Sequence, residues 1–297
     1  MSEAALPTEL RPLGILWRGP LDSCNYGCGY CPFAKRSSRR AMLDADRVAL
    51  ARFVAWVEGA AEWSLEVLFT PYGEALVWPW YRDALARISH LPHVRRVAIQ
   101  TNGSAPMGFL AEADRARLAL WVSWHPSEVP REAFAAKMAA LHREGTRLSV
   151  GAVALPENVE AVEALRAELP PGTPMWINAQ KPGVRYGPAD IERWSRIDPG
   201  FALDVRPHAT RGKPCDTGDT VISVDGAGTI HRCHFVADVL GNLYDDDLAA
   251  ILGPRPCPRP RCDCYIGYAH LPALGMRAVY GDDLLARMRP SATPRSA

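Results

Sequence analysis

Three cysteines stand close together near the start of this chain of 297 residues. Cys24, Cys28 and Cys31 are separated by three and then two residues, and they follow the apolar run 13–17. Cysteine thiolates are the usual ligands of iron–sulfur clusters, and a [4Fe–4S] cube normally takes four protein ligands. Three thiolates on one loop would therefore leave one iron open to a small molecule.

Other uses of three cysteines fit the sequence less well. Structural zinc takes four ligands within a compact knuckle, and no further cysteine or histidine follows Cys31 within twenty residues. Disulfides belong to oxidising compartments, whereas the eight cysteines of this chain come without a signal peptide and indicate a reducing one. The spacing therefore favours an iron–sulfur cluster.

The composition limits the classes of partner. Hydrophobic residues make up 48% and charged residues 23% of the chain, as in ordinary globular proteins. The net charge of +1 provides no overall field for nucleic acid or an anionic membrane. The N-terminus carries acidic residues, and no apolar run approaches the roughly 18 residues of a membrane span. We therefore expect a cytoplasmic protein that binds neither nucleic acid nor membrane.

Short apolar runs alternate with longer amphipathic stretches up to about residue 200. The runs predict six strands, at 14–18, 65–70, 96–101, 118–124, 147–154 and 174–179. The stretches predict helices at 45–61, 81–89, 107–115, 131–143, 157–168 and 188–195, with Asp44 as the N-cap of the first. Strands that are apolar on both faces belong to parallel sheets covered by helices. Six units are too few for a closed eight-stranded barrel, so we expect an α/β fold, an open (β/α)6 partial barrel over 10–200.

The last third of the chain has a different pattern, rich in proline, glycine and cysteine. Two short β runs on either side of 225–228 predict a hairpin. Five cysteines accompany it: Cys215, Cys233, Cys257, Cys262 and Cys264. We predict a small cysteine-rich hairpin domain at 205–270 and a C-terminal tail, 271–297, that contains a helix at 282–288. A four-cysteine zinc knuckle has similar spacings, so the residues alone leave zinc and iron–sulfur both open.

The motif formed by Cys24, Cys28 and Cys31 resembles that of the radical S-adenosylmethionine (SAM) enzymes. In that family the open iron of a [4Fe–4S] cluster chelates SAM. One electron then cleaves SAM to methionine and a 5′-deoxyadenosyl radical, which takes a hydrogen atom from the substrate. The resemblance implies a partial (β/α)6 TIM-like barrel, bound SAM, and an electron donor such as a flavodoxin or ferredoxin.

The predicted strand ends supply further matches, and barrel folds bind their ligands at these ends. Residues 70–75 resemble the family's Gly-Gly-Glu-Pro motif, although Tyr72 and Ala75 replace a glycine and the proline. The resemblance implies these SAM contacts: adenine at Tyr30 and Val153, the ammonium group at Gly73 and Glu74, the Thr-Asn-Gly turn at Asn102, and the ribose or carboxylate at Ser123. A plainer interpretation of Glu74 is a glutamate that starts a helix, and residues 101–103 can be a simple turn.

The second cysteine group resembles the Twitch domain, a shortened SPASM domain that holds one auxiliary [4Fe–4S] cluster. The implied ligands are Cys215 and Cys233, which flank the hairpin, and others drawn from Cys257, Cys262 and Cys264, one of which can remain free. His231 and His234 flank Cys233, and strand alternation would place both on the face opposite its thiol. We therefore interpret the two histidines as neighbours of the cluster or of the substrate.

We expect a radical SAM enzyme that acts on a small molecule such as a sugar, nucleoside or natural-product intermediate. The first predicted strand begins at residue 14, which leaves no separate N-terminal peptide-binding domain. The reaction would be oxidation, epimerisation or sulfur insertion with help from the auxiliary cluster, and the acid–base candidates are Tyr72, His125, His231 and His234. Modification of a peptide is the alternative. A zinc-stabilised binding protein without radical chemistry is the alternative of another class.

Overall fold

The computed structural model describes residues 10–33 and 38–288 of the chain. Its strands are, in chain order, β1 (Arg11–Arg18), β2 (Trp63–Phe69), β3 (Val94–Thr101), β4 (Leu118–Ser123), β5 (Arg147–Val153), β6 (Met175–Asn178), β7 (His208–Ala209), β8 (Val221–Asp225), β9 (Thr229–His231), β10 (Val239–Asn242) and β11 (Arg261–Cys262). The six predicted strands are confirmed as β1 to β6, because each end lies within three residues of its expected place.

Nine of the strands form one sheet in the order β10-β9-β8-β1-β2-β3-β4-β5-β6. Neighbours from β1 to β6 are parallel, as expected for β–α units with apolar strands. The predicted hairpin is present as the antiparallel pair β8 and β9. Strand β8 also runs parallel to β1, so the cysteine-rich hairpin extends the same sheet. This pairing places the hairpin beside the loop that follows β1.

The helices are, in chain order, α1 (Arg40–Gly59), α2 (Pro79–Ser89), α3 (Arg131–Arg143), α4 (Val159–Glu168), α5 (Pro188–Ile197), α6 (Phe201–Val205), α7 (Leu248–Ile251), α8 (Tyr265–Tyr268) and α9 (Met276–Tyr280). Five of the six helices predicted between the strands are therefore confirmed, as α1 to α5. Among the described residues, no helix has both the length and the apolarity needed to cross a membrane.

Two features of the predicted helices are wrong. The stretch 107–115 forms only a 3-10 turn, Gly108–Ala111. The side chain of Asp114 accepts a hydrogen bond from the backbone N–H two residues further on, a local bond that competes with helix formation. The predicted N-cap is also misplaced, because α1 begins at Arg40 and Asp44 lies inside its first turns. The first error reflects a local hydrogen bond that apolar periodicity does not report, and α1 starts without a side-chain cap hydrogen bond at all.

The two faces of the sheet are covered by different parts of the chain. Along β4, Leu118, Leu120 and Val122 belong to the large core formed with helices α1 to α5. Ala119 and Trp121 alternate with them and point to the other face, called the inner face below. That inner face packs against residues 265–288, which form a second hydrophobic core with it.

Residues 265–288 fill the inner face near the amino ends of the strands. Arg96 of β3 and Arg147 of β5 both form ion pairs with Asp283, at 2.7 and 2.5 Å. The predicted helix at 282–288 is wrong: a 3-10 turn covers Gly281–Asp283, and Arg287 has a φ of 52°, which an α-helix does not accommodate. The chain is therefore packed as far as residue 288, and the polar end of the predicted tail lies outside the described residues.

Candidate active site

The loop after β2, residues 70–75, contacts the cysteine loop and holds it in place. The backbone N–H of Glu74 donates to the carbonyl oxygen of Ser23 at 3.1 Å. A Cβ atom on Gly73 would lie 1.7 Å from that oxygen, so the close approach of the two loops requires glycine. The 70–75 motif thus lies directly against the residues that lead into Cys24.

The loop after β3 also contacts the cysteine loop. The side-chain amide of Asn102 donates to Asn25 Oδ1 at 3.1 Å and lies 3.9 Å from Cys24 Sγ. Asn25 in turn donates to Ser104 Oγ at 3.0 Å. The sequence interpretation missed Asn25 and Ser104, and the signal available for Asn25 was its place between the first two cysteines. Asn102 is therefore close enough to one thiol to influence whatever that thiol binds.

Glu74 is buried, with 1% of its surface exposed, and its carboxylate accepts three hydrogen bonds from the protein. Oε1 accepts from Leu76 N at 3.0 Å and from Thr101 Oγ1 at 2.8 Å, and Oε2 accepts from Asn102 N at 2.5 Å. Burial raises the pKa of Glu74 to about 7, against these hydrogen bonds, which lower it. The plainer interpretation of Glu74 holds, since it caps a 3-10 turn. Its contact with the SAM ammonium stays a prediction.

The three N-terminal thiols are free and lie on one loop. Cys24 Sγ accepts from the Tyr26 N–H at 3.5 Å. Burial raises the pKa of Cys24, and it raises that of Cys28 to about 11. In the part of the chain that the structure describes, no three Cys, His, Asp or Glu side chains converge as around a single metal ion. The thiolates of a cube bind separate irons and need no such convergence, and cationic iron would favour the thiolate form that burial disfavours.

His125 lies against the cysteine loop rather than in open solvent. Its Nδ1 is 2.7 Å from the Tyr30 hydroxyl and 3.2 Å from Cys28 Sγ, and the His125 and Tyr30 rings stack at an interplanar angle of 11°. Burial lowers the pKa of His125 to about 4, so the imidazole is neutral at pH 7. The histidine therefore supports Tyr30 and Cys28, and the contact of Tyr30 with adenine stays a prediction.

Ser123 and Val153 lie at the carboxyl ends of β4 and β5. Alternation places Ser123 on the inner face with Trp121, and the paired residue of β5 is Gly151, two residues before Val153. Both side chains are half-buried. The two residues predicted to contact SAM therefore share one face and one edge of the sheet.

The sequence interpretation missed Arg18, although this charged residue follows the apolar run 13–17 and ends the predicted strand 14–18. Its Nε donates to the carbonyl oxygen of Thr70 at 2.7 Å, and its Nη1 donates to the Tyr72 hydroxyl at 2.8 Å. The guanidinium also lies 4.1 Å from the centre of the Tyr72 ring. That ring is 38% exposed and lies 5.1 Å from the ring of Phe33 on the cysteine loop.

His234 is fixed on both ring nitrogens. Its Nε2 is 2.9 Å from Thr70 Oγ1 and its Nδ1 is 2.8 Å from Ser223 Oγ. Burial lowers the pKa of His234 to about 3, so the ring is neutral and a poor proton carrier. The predicted placement of His231 and His234 opposite the Cys233 thiol is wrong, because β9 ends at His231 and all three residues line one cleft.

This cleft has a volume of about 910 Å³ and lies between β1, the start of α1 and the β8–β9 hairpin. Its lining includes residues from the strand ends and from the second cysteine group: Arg18, Tyr72, His231, Cys233, His234 and Arg259. Tyr72 on one side of the cleft contacts Phe33 of the first cysteine loop, and Cys233 on the lining belongs to the second cysteine group. A molecule bound in the cleft would therefore lie beside Tyr72 and Cys233.

The five C-terminal cysteines lie close enough to influence one another. The thiols of Cys215 and Cys257 act on Cys233, and those of Cys264, Cys233 and Cys215 act on Cys262. Burial raises the pKa of Cys233, and it raises that of Cys262 to about 12. All five are free thiols. A shared cationic group would favour the thiolate forms that burial disfavours in Cys233 and Cys262.

Cys264 has different surroundings. Burial raises its pKa to about 11, and its charged neighbours include Asp204 and Lys181, while its own thiol acts on that of Cys262. It also lies within the electrostatic range of Arg18. The structure therefore places this cysteine on the barrel side of the group, where it begins α8.

No protein-family model matches the chain, and no curated protein matches it at a significant level. Among solved structures, Streptococcus suis SuiB superposes with a TM-score of 0.53 at 15% identity, over 82% of this chain and 66% of that one. Native anSMEcpe with bound AdoMet gives 0.54 at 13% identity, over 79% of each chain. The same protein with AdoMet and Kp18Cys peptide gives 0.51 at 14%, over 79% of each.

The chain spans 66% of the length of SuiB, so the likeness does not extend to all of that protein. At these identities the superpositions establish the fold. SuiB and anSMEcpe are radical SAM enzymes with SPASM/Twitch-type domains, which confirms the predicted partial barrel. The chain therefore has the fold of the radical SAM enzymes that carry such auxiliary domains.

Proposed function

We propose that this protein is a radical SAM enzyme whose [4Fe–4S] cluster is held by Cys24, Cys28 and Cys31. The observation that carries the proposal is the position of the three free thiols, on a loop after β1 that the β2 and β3 loops clamp, in a fold shared with structures that contain AdoMet. When bound, the cluster and SAM supply an electron and a 5′-deoxyadenosyl radical for removing a substrate hydrogen atom.

The surrounding residues would position SAM. Glu74 ties the loop after β2 to the loop after β3 through its three hydrogen bonds, which fixes Gly73 and Asn102 beside the cysteines. Ser123 is suited to a ribose hydroxyl or the SAM carboxylate, and Val153 offers an apolar contact for adenine. Tyr30, held by His125, would flank the same group.

Cys215, Cys233, Cys257 and Cys262 are proposed to hold the auxiliary [4Fe–4S] cluster, which leaves Cys264 as the free cysteine. The thiols of Cys215 and Cys257 act on Cys233, and those of Cys233 and Cys215 act on Cys262 beside that of the neighbouring Cys264, which supports this choice. A zinc ion held by the same four residues is the alternative. Metal analysis distinguishes the two, because only the cluster contains acid-labile sulfide.

The substrate is proposed to be a small molecule that occupies the cleft of about 910 Å³, a volume within the usual range of small-molecule pockets. The reaction would be an oxidation, an epimerisation or a sulfur insertion at a C–H position, with electrons delivered by a flavodoxin- or ferredoxin-type protein. The neutral, doubly bound ring of His234 makes Tyr72 and His231 the better acid–base candidates on this cleft.

A peptide substrate is the second candidate. One observation favours it: anSMEcpe, whose fold this chain shares, has been solved with AdoMet and two different peptides, Kp18Cys and Cp18Cys. A peptide would place one side chain in the cleft, with the rest of the chain outside it. Small-molecule and peptide panels, compared by how far each stimulates 5′-deoxyadenosine formation, separate the two candidates.

The test of the activity itself is SAM cleavage by anaerobically reconstituted protein under dithionite. We expect 5′-deoxyadenosine and methionine in equal amounts from the native protein. The Cys24→Ala/Cys28→Ala/Cys31→Ala variant should form neither, whereas the matched Cys264→Ala variant should retain cleavage. No product from the native protein, together with bound zinc, would favour the zinc-stabilised binding protein.

A further inference from the structure

We infer that Arg18 binds an anionic group of the substrate, a carboxylate or a phosphate, in the cleft beside the hairpin. The inference rests on the proposed function and adds a substrate class to it. Arg18 is a charged side chain, and its hydrogen-bond partners are neutral groups.

The positive charge of Arg18 has no negative partner in the described part of the chain. Its hydrogen-bond acceptors are a backbone carbonyl, that of Thr70, and the hydroxyl of Tyr72. The groups that shift its pKa besides burial are Tyr72 and the thiol of Cys264, with no Asp or Glu among them. A half-buried cation with neutral neighbours is costly unless a ligand supplies the missing charge.

Other arginines of the barrel interior are compensated. Arg96 and Arg147 share the carboxylate of Asp283, at 2.7 and 2.5 Å. Arg287 is paired with Asp198 at 3.6 Å. Arg18 is therefore exceptional among the inner-face arginines of the described chain, and it is the one that lines the cleft.

The geometry leaves the guanidinium ready to bind. Nε and Nη1 are each anchored, and the Tyr72 ring supports the group from one side at 4.1 Å. Among described groups, none bonds Nη2. A planar guanidinium group is suited to the two oxygens of a carboxylate or phosphate. Because the Arg18 side chain is already held in place, it would lose little conformational entropy when it binds such an anion.

The charge of the cleft agrees with an anion. Arg259 adds a second guanidinium to its lining, while Asp225 supplies the one carboxylate among the described lining residues. One oxygen of that carboxylate, Oδ1, accepts from the N–H groups of Ala227 and Thr229 at 2.9 Å. The described lining thus carries two guanidinium groups against one carboxylate.

SAM also carries a carboxylate, so the anionic group of the substrate must be distinguished from that of SAM as the ligand of Arg18. Ser123, the residue expected near that carboxylate, stands on β4, three strands away from Arg18 on β1. Three strand spacings amount to about 14 Å along the sheet. Arg18 instead lies next to the hairpin strand β8, on the substrate side of the cleft. We therefore assign its anion to the substrate.

Isothermal titration calorimetry under anaerobic conditions tests the assignment. The probes are inorganic phosphate, acetate and SAM, titrated separately at constant ionic strength into reconstituted native protein and the Arg18→Gln variant. The Arg40→Gln variant is the matched control, because it removes an equal charge from a side chain that is 96% exposed. Circular dichroism and iron content verify that each variant is folded and loaded.

We expect phosphate or acetate to bind the native protein and the control alike, and at least about tenfold more weakly to Arg18→Gln. SAM affinity should change less than about twofold. Equal anion binding by native and Arg18→Gln protein, or no anion binding by native protein, overturns the inference. A tenfold loss of SAM affinity overturns it too, because the guanidinium then serves SAM. Failure of SAM to bind any variant would count against the proposed function while the anion titrations still decide the role of Arg18.

Discussion

Arg18 and Arg287 both lie against the inner face of one sheet, and their surroundings differ in one respect. Arg287 is 2% exposed and pairs with Asp198, donates to Asn178 Oδ1 at 2.7 Å and stacks 4.0 Å from the Tyr265 ring. Burial acts to lower its pKa, but the surrounding phenols and Asp198 outweigh burial and raise it. In the described part of the chain, the hydrogen-bond partners of Arg18 are both neutral groups.

Under the proposed function, this difference separates the part of the inner face that stabilises the fold from the part that binds a ligand. Residues 265–288 fill the first part with aromatic rings and paired charges. The second part, at the carboxyl ends of the strands, contains a cation without a counter-ion, buried thiols with raised pKa values and histidines held neutral. Charged and titratable groups that lack a compensating partner are typical of binding sites at this end of a barrel.

The largest expected effect is a loss in the free energy of unfolding, caused by a change in the part of the inner face that residues 265–288 cover. Arg287→Ala removes the guanidinium that pairs with the buried Asp198 carboxylate, and loss of one member of a buried ion pair costs about 3–5 kcal/mol. The shift in the urea midpoint of unfolding measures the loss. Arg196→Ala is the control, because its ion pair with Glu192 is 70% and 72% exposed and is worth less than about 1 kcal/mol. Equal losses in both variants would mean that the interior pairing does not stabilise this fold.

A smaller effect is expected where the β2 loop meets the cysteine loop. In Gly73→Ala the new methyl group would overlap Ser23, which must move the cysteine loop at a cost of about 1–3 kcal/mol. We expect loss of about four irons per chain, those of the catalytic cluster, while the auxiliary cluster remains. Gly27→Ala on the same loop, whose added carbon meets its nearest atom at 3.9 Å, should load normally. Full iron content in Gly73→Ala would show that the two loops need not touch.

The smallest effect is a pH dependence at the ligand-binding end. Burial lowers the pKa of His234 to about 3, whereas an unfolded histidine titrates near 6.5. Below about pH 6.5 the unfolded chain therefore binds a proton that the native chain does not, so the stability contributed by this residue is lost as the pH falls.

We expect native protein to lose roughly 1 kcal/mol more than His234→Gln between pH 7.0 and 5.5, as measured by urea unfolding at both pH values. Glutamine retains polar atoms that can reach Thr70 and Ser223, the present partners of the ring. Identical pH dependence in the two proteins would contradict this, because it would mean that the histidine binds its proton equally well in the native and unfolded states.

The sequence was informative where a pattern is local and repeated. The apolar strands β1 to β6 and the cysteine loop could be predicted because periodicity and spacing report them directly. The route of residues 265–288 into the inner face could not, since it depends on long-range contacts and on a left-handed residue, Arg287. Arg18 was missed for a related reason: a single charged residue at a strand end acquires meaning only when its neutral neighbours are known.

Iron and acid-labile sulfide content after anaerobic reconstitution tests the central claim, a catalytic cluster on the first cysteine loop and an auxiliary one beside the hairpin. We predict about eight irons and eight sulfides per native chain, about four of each in Cys24→Ala/Cys28→Ala/Cys31→Ala, and no change in Cys264→Ala. Iron content that the triple substitution leaves unchanged, or zinc in place of iron and sulfide, would contradict the account.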